Sequence, residues 1–207
     1  MKKIAVALLT LVLLCTLVAP TFAAATKNAF ENVVLNNNPD EFGYIPNDAG
    51  RTRQDQAIQY VAGHGCGYGT QGDMVQFKNV DFGKNGAKEM IISFSYAGEG
   101  TSTLAARLDS KTAAPFATFS TTSTGGWDIK AAKEFATAVK VPGGVHDVYV
   151  EFTNEESGSF SYIRFVEADA PIAATGAAAP ATADMGVIAS LAAIMTSAAG
   201  FVALKKR

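Results

Sequence analysis

Cysteine is almost absent from this chain of 207 residues: Cys15 and Cys66 are the two. Cys15 falls in a leader-like N-terminal stretch. The part beyond it therefore has one thiol, can form no internal disulfide, and must be held together by packing. Histidine is as scarce, with His64 and His146. His64-Gly-Cys66 looks like half a metal site, but no second cluster completes it, and Cys66 reads as a small buried hydrophobe. Tryptophan occurs once, at Trp127. Acidic residues are missing from both ends, 1–25 and 185–207. All 19 Asp and Glu lie between, beside 12 of the 17 Lys and Arg, so the middle carries a formal charge of −7. An acidic exterior repels phosphate backbones and anionic lipid, which excludes nucleic-acid binding as a main role. Long helical periodicity is lacking in the middle too, whereas regular apolar patterning is present, and that excludes a disordered chain.

The ends read as addresses. Lys2 and Lys3 precede an apolar run from Ile4 to Val18, followed by Pro20 and Thr21-Phe-Ala-Ala-Ala25. This is the layout of a secretory signal peptide over residues 1–25, with cleavage after Ala23 or, preferred here, Ala25. Leu14 is too bulky for the residue before a lipidated Cys15, so a lipoprotein is not expected. At the other end, residues 185–204 carry no charge and are followed by Lys205-Lys206-Arg207. A helix of that length spans about 30 Å, the hydrocarbon thickness of a bilayer. The basic tail sits on the side that the positive-inside rule assigns to the cytoplasm, which agrees with export of the middle. Residues 168–184, rich in Ala and Pro, read as a linker. Within it Pro180-Ala-Thr182-Ala183-Asp184, followed by the apolar span and basic tail, resembles the cell-wall sorting signal of Gram-positive surface proteins. That resemblance implies a sortase cutting after Thr182 and linkage to peptidoglycan; Ala183 stands where Gly is usual. The alternative is a plain membrane anchor over 185–207.

Residues 26–167 are long enough to bury a single core. Their apolar period is two. Met90, Ile92, Phe94 and Tyr96 alternate with Glu89, Ile91, Ser93 and Ser95; Leu104, Ala106 and Leu108 follow the same rule, as do Val148, Val150 and Phe152. Glycine- and proline-bearing turns at 83–86, 98–100, 125–126, 142–144 and 157–159 separate these runs. The pattern predicts an all-β domain, a two-sheet antiparallel β-sandwich, with a strand rather than a helix over 130–139.

Gly67-Tyr-Gly69-Thr-Gln-Gly72 satisfies the dinucleotide fingerprint, but an alternating strand follows it instead of the helix whose N-terminus would hold a pyrophosphate. Nucleotide binding is rejected, and the glycines are expected to form a loop that lets Tyr68 stand out. Asp73, Asp109 and Asp128 are the carboxylates a glycosidase would need in a pair. They make no paired motif and read as ordinary solvated edges, so no enzymatic activity is expected.

Several ordered segments carry a family likeness. Gly67-Tyr68-Gly-Thr-Gln-Gly72-Asp73-Met-Val-Gln-Phe77-Lys-Asn-Val-Asp-Phe-Gly83, then Arg107-Leu-Asp-Ser110, Ser123-Thr-Gly-Gly-Trp127 and His146-Asp-Val-Tyr-Val-Glu-Phe152 resemble family 6 carbohydrate-binding modules. The likeness is good over residues 65–166 and poor over 30–63. It implies a β-jelly-roll sandwich that binds, without catalysis, polysaccharides such as xylan, cellulose or β-glucan. A pyranose presents an apolar face of C–H groups and a rim of hydroxyls. Flat rings cover the first, and polar side chains bond the second.

By position in the family, the stacking pair would be Tyr68 and Trp127. Ser161 stands where the family has an Asn that bonds a sugar hydroxyl, Lys130 where a second Trp is common, and Ile163 where an Asp is common. The likeness also implies a structural calcium held through early glutamates, with Glu31 as the candidate. No other cofactor is expected. The competing reading is a structural or adhesive surface protein that kept the sandwich and lost the sugar cleft.

Overall fold

Twelve strands and no helix make up the described part of the molecule, a computed structural model that describes residues 26–47, 56–155 and 158–173. The expected signal peptide (1–25), the linker beyond Ala173 with Pro180, Thr182 and Ala183, and the apolar span of 185–207 lie outside those residues. The strands are β1 (Lys27–Asn28), β2 (Val33–Val34), β3 (Phe42–Ile45), β4 (Gln59–Val61), β5 (Gly65–Gly67), β6 (Met74–Asp81), β7 (Ala87–Ser95), β8 (Ser102–Leu108), β9 (Ala117–Thr121), β10 (Lys133–Val141), β11 (Val145–Phe152) and β12 (Ser159–Glu167). Together with their connections up to Ile172 they form one compact unit.

A six-stranded sheet runs β1-β6-β11-β8-β9, with β3 also on β6; a four-stranded sheet runs β10-β7-β12-β2. A small third sheet, the hairpin β4–β5, was not expected. All pairings are antiparallel except that of β1, whose two residues run parallel to Val80–Asp81 of β6. The segment from Lys133 forms an extended edge strand despite its alanines, because pairing with the buried β7 outweighs helix propensity.

The alternation seen in the sequence becomes the core. Met90, Ile92, Phe94 and Tyr96 from one sheet and Phe77, Val148, Val150 and Phe152 from the other are all fully buried. Phenylalanines bridge the layers: Phe77 stacks on Phe160 with centroids 6.3 Å apart, Phe152 meets Phe160 at 5.9 Å, and Phe82 meets Phe165 edge-on at 4.7 Å. These rings stand in for the missing disulfide by supplying large apolar area at low entropic cost. β7 departs from simple alternation, since Ile91, Ser93 and Ser95 on its other face are also buried. It is the strand between β10 and β12, and the polar members of that face are bonded: Ser161 Oγ to Ser93 Oγ, and Ser95 Oγ to the carbonyls of Trp127 and Ser159.

Candidate functional site

At one end of the sandwich two loops and the β4–β5 hairpin enclose a cavity of about 230 Å³, lined by Val61, His64, Gly67, Tyr68, Trp127, Gly158 and Ser159. The structure thus brings Tyr68 and Trp127, 59 positions apart in the sequence, to one hollow. Most large apolar side chains here are sealed away, yet Tyr68 keeps 38% and Trp127 41% of its surface open.

Tyr68 follows β5 with φ +61°, in the left-handed region that a bulky L-residue rarely adopts. Such strain needs holding, and Asp73 supplies much of it. Its carboxylate accepts the amide of Thr70 at 3.1 Å and that of Asn47 at 2.5 Å. Asp73 is fully buried, so the solvated edge expected from the sequence is corrected: this acid clamps the Tyr68 loop. Gly69 completes the loop, because a Cβ there would lie 2.3 Å from the Phe152 ring. The glycine pattern that mimics a nucleotide fingerprint is therefore a device for turning a chain tightly over an aromatic core.

Trp127 is fixed from two sides. Its ring meets the buried Tyr96 edge-on at 5.4 Å, and Thr124, three residues earlier, is tied by its amide to the Tyr96 carbonyl at 2.7 Å. Its own carbonyl accepts hydrogen bonds from Ser95 Oγ and from His64 Nδ1, each at 3.0 Å, while the amide of Ile129 donates to the Gly63 carbonyl. The hairpin turn and the Trp127 loop are thereby joined. Two partly open aromatic side chains, each carried on braced backbone, thus line one hollow.

Ser161 is not part of this surface. It is 2% exposed, its hydroxyl is bonded to Ser93, and the β5 backbone lies against it so closely that a Cβ on Gly65 would be 2.6 Å from its Cα. The register of β12 slips between Phe160 and Tyr162, which exchanges the faces that alternation from Phe160 would assign. Ser159, two residues earlier, lines the cavity in its place. Ile163 is also core. Lys130 is exposed, with its amide capped by Asp128 at 2.7 Å. His64, Val61 and Ser159 are cavity residues that the sequence reading did not assign. The signal available for His64 was its seat between Gly63 and Gly65, at the hairpin turn one short strand before Tyr68.

None of the three candidate carboxylates lines the cavity. Asp73 is used as described, Asp128 caps the amides of Lys130 and Ala131, and Asp109 pairs with His146 at 2.8 Å. Cys66 is sealed under the loop, and burial pushes its thiol up to about 12, which favours the protonated form at neutral pH.

Glu31 lies in a separate hollow with Lys27, Asn28 and Glu41. Its carboxylate accepts the Asn28 amide at 3.1 Å, and that of Glu41 accepts the Asn36 and Asn38 amides. Lys27, whose ammonium is pushed down in pKa by burial, adds a cation to the same place. Calcium asks for six to eight oxygens. Among the described residues no group of three or more acid, histidine or cysteine side chains gathers there or elsewhere.

Three comparisons bear on this geometry. The family model described as carbohydrate binding module (family 6) matches residues 45–167. A search of the curated proteins returned no match. Among solved structures the chain is similar to a module from Clostridium stercorarium in complex with cellobiose, at 23% identity and TM-score 0.52, covering 70% of this chain and 100% of that one. It is similar to a family 6 module from Clostridium cellulolyticum in complex with xylose, at 22% and 0.52, covering 68% and 100%. A β-1,3-glucan-binding module from Bacillus halodurans matches at 18% and 0.50, covering 70% and 100%. At these identities the structural likeness is one of fold.

Proposed function

Because this chain belongs to carbohydrate-binding module family 6, we propose that it binds a polysaccharide without catalysis, holding one sugar ring between Tyr68 and Trp127. The observation that carries the reading is the pair of open aromatic rings on braced loops at a single cavity. The hollow suits one ring at a chain end or in a short stretch. Cellobiose, xylose and β-1,3-glucan, the ligands of the similar structures, are the first ones to try. At about 0.3 kcal/mol per heavy atom a disaccharide reaches roughly −7 kcal/mol, on the order of 10 μM. Weak single contacts suit a protein held in many copies on one surface, where multivalency raises avidity. We propose that arrangement here, with export by residues 1–25 and retention through the 185–207 span or, after cutting at Thr182, through peptidoglycan. The test is affinity electrophoresis of the full-length chain in gels containing xylan, cellulose derivatives or β-1,3-glucan. Retardation by at least one polymer, abolished in Trp127→Ala, is the expected result. Equal mobility of wild type and mutant in every retarding gel would remove the cleft from the account.

The competing reading, a surface protein whose cleft is vestigial, draws on one observation: the hydroxyl expected at the rim, Ser161, is buried. Loss of that contact is offset in the first reading by polar groups that do line the cavity.

A further inference from the structure

The two histidines of the chain are bonded in opposite ways. His146 uses both ring nitrogens, with Nδ1 at 2.8 Å from an Asp109 oxygen and Nε2 at 3.3 Å from the Gly143 carbonyl. His64 uses one: Nδ1 lies 3.0 Å from the Trp127 carbonyl, and among the described residues Nε2 has no hydrogen-bond partner. A carbonyl oxygen can only accept, so the proton of that bond belongs to Nδ1. In the neutral imidazole Nε2 then carries a bare lone pair. The ring is half-buried, held by a backbone bond on one side, and forms part of the cavity wall beside Tyr68 and Trp127.

Resting on the sugar-binding reading above, we propose that His64 is a sugar-contacting residue of this cleft, whose Nε2 accepts a hydrogen bond from a hydroxyl on the rim of the ring stacked between Tyr68 and Trp127. The chemistry is complementary. The aromatic faces take the C–H surface, and a fixed acceptor in the wall asks for a free hydroxyl that can donate. The bond to the Trp127 carbonyl does two things at once, since it sets the tautomer and ties the acceptor to the stacking residue. A sugar that enters between the rings therefore meets the lone pair at a constant height. It also gives the cleft a polar contact that Ser161, turned into the interior, does not supply.

The conservative variant separates contact from bracing. In His64→Asn the side-chain amide replaces Nδ1 as donor to the Trp127 carbonyl and leaves nothing at Nε2. Titration of the full-length chain with cellobiose, xylobiose and laminaribiose is expected to show the best-bound sugar weakened about tenfold in both His64→Asn and His64→Ala. In the wild type the Nε2 nitrogen resonance should move on saturation while Nδ1 stays, and with two histidines in the chain its assignment follows from the Asn variant. The proposal is overturned if His64→Asn binds like the wild type, or if Nε2 is unmoved at saturation. The latter reading is taken on folded wild type, so a misfolded Ala variant cannot obscure it. If Trp127→Ala loses binding and His64→Asn does not, this contact alone fails; if Trp127→Ala also binds normally, or the wild type binds none of the three, the sugar-cleft reading fails with it.

Discussion

Two polar surfaces of the same sandwich are satisfied in opposite ways. On the outer face of the six-stranded sheet the side chains answer one another. Arg107 donates to Glu151 at 2.6 and 3.0 Å, Gln76 spans Asp147 and the Tyr149 hydroxyl, Asp147 also accepts the Asn79 amide, and His146 pairs with Asp109. At the cleft end hydrogen bonds run between the loops that carry the rings, and the rings themselves are left partly open. The first arrangement contributes to stability and asks for no ligand. The second uses the fold's polar contacts to hold apolar surface in water, which costs free energy unless something covers it. Partly exposed aromatics on braced backbone, more than charge or a pocket alone, distinguish the proposed binding end from the outer sheet face.

Exchanging one residue on each surface should break the two apart. Trp127→Ala is expected to lose about 2 kcal/mol of sugar affinity, roughly thirtyfold, with little change in unfolding midpoint. Arg107→Ala should do the reverse, lowering stability by about 1.5 kcal/mol because Glu151 loses its partner while both side chains are largely covered, and leaving affinity within about twofold. Denaturant unfolding and calorimetric titration on the same two variants read both quantities. A drop in stability with Trp127→Ala equal to that with Arg107→Ala would erase the distinction.

Tyr68 sharpens it further. Glycine suits φ +61° at no steric cost, whereas tyrosine there bears about 1 kcal/mol or more of backbone strain. Tyr68→Gly should therefore weaken binding about tenfold while leaving denaturant stability unchanged or higher. A large destabilisation would mean that the ring is a packing element and not a ligand platform.

The smallest effect is electrostatic and belongs to the four-stranded sheet. The Tyr162 hydroxyl, with Arg164 in support, holds the Glu134 carboxyl below its ordinary value. A depressed carboxyl stabilises the fold above its unfolded-state value of about 4.3, and that contribution is lost as pH falls through the lower folded value. Tyr162→Phe should cost a few tenths of a kcal/mol near pH 7 and nothing once the carboxyl is protonated in both states, since the Tyr162–Glu134 bond is exposed. Unfolding curves of the two proteins from pH 7 to pH 2 should converge; parallel curves would assign the bond no electrostatic role.

How far the sequence carried depends on whether a signal was local. Met90 to Tyr96 and Val148 to Phe152 declare their buried face by alternation alone, and the core follows them. Tyr68 and Trp127 are picked out by their positions in the family likeness, and the glycines before each fit a loop. Ser161 could not be placed, because a register slip in β12 has no mark in the residues around it. Asp73 looked like a surface acid, since nothing near it in the sequence announces that Asn47 and Thr70 will offer it amides. His64 beside Cys66 suggested half a metal site; its bond reaches the Trp127 carbonyl 63 positions away, and only tertiary structure reveals it.

The chain has one tryptophan, so emission excited beyond the tyrosine absorption band reports on Trp127 alone. Titrating cellobiose, xylobiose or laminaribiose while recording Trp127 fluorescence and its quenching by acrylamide tests the stacking most directly. Stacking predicts a saturable shift to shorter wavelength together with protection from the quencher, at the concentration where binding is measured independently. Independent binding with emission and quenching unchanged would place the sugar somewhere other than between Tyr68 and Trp127.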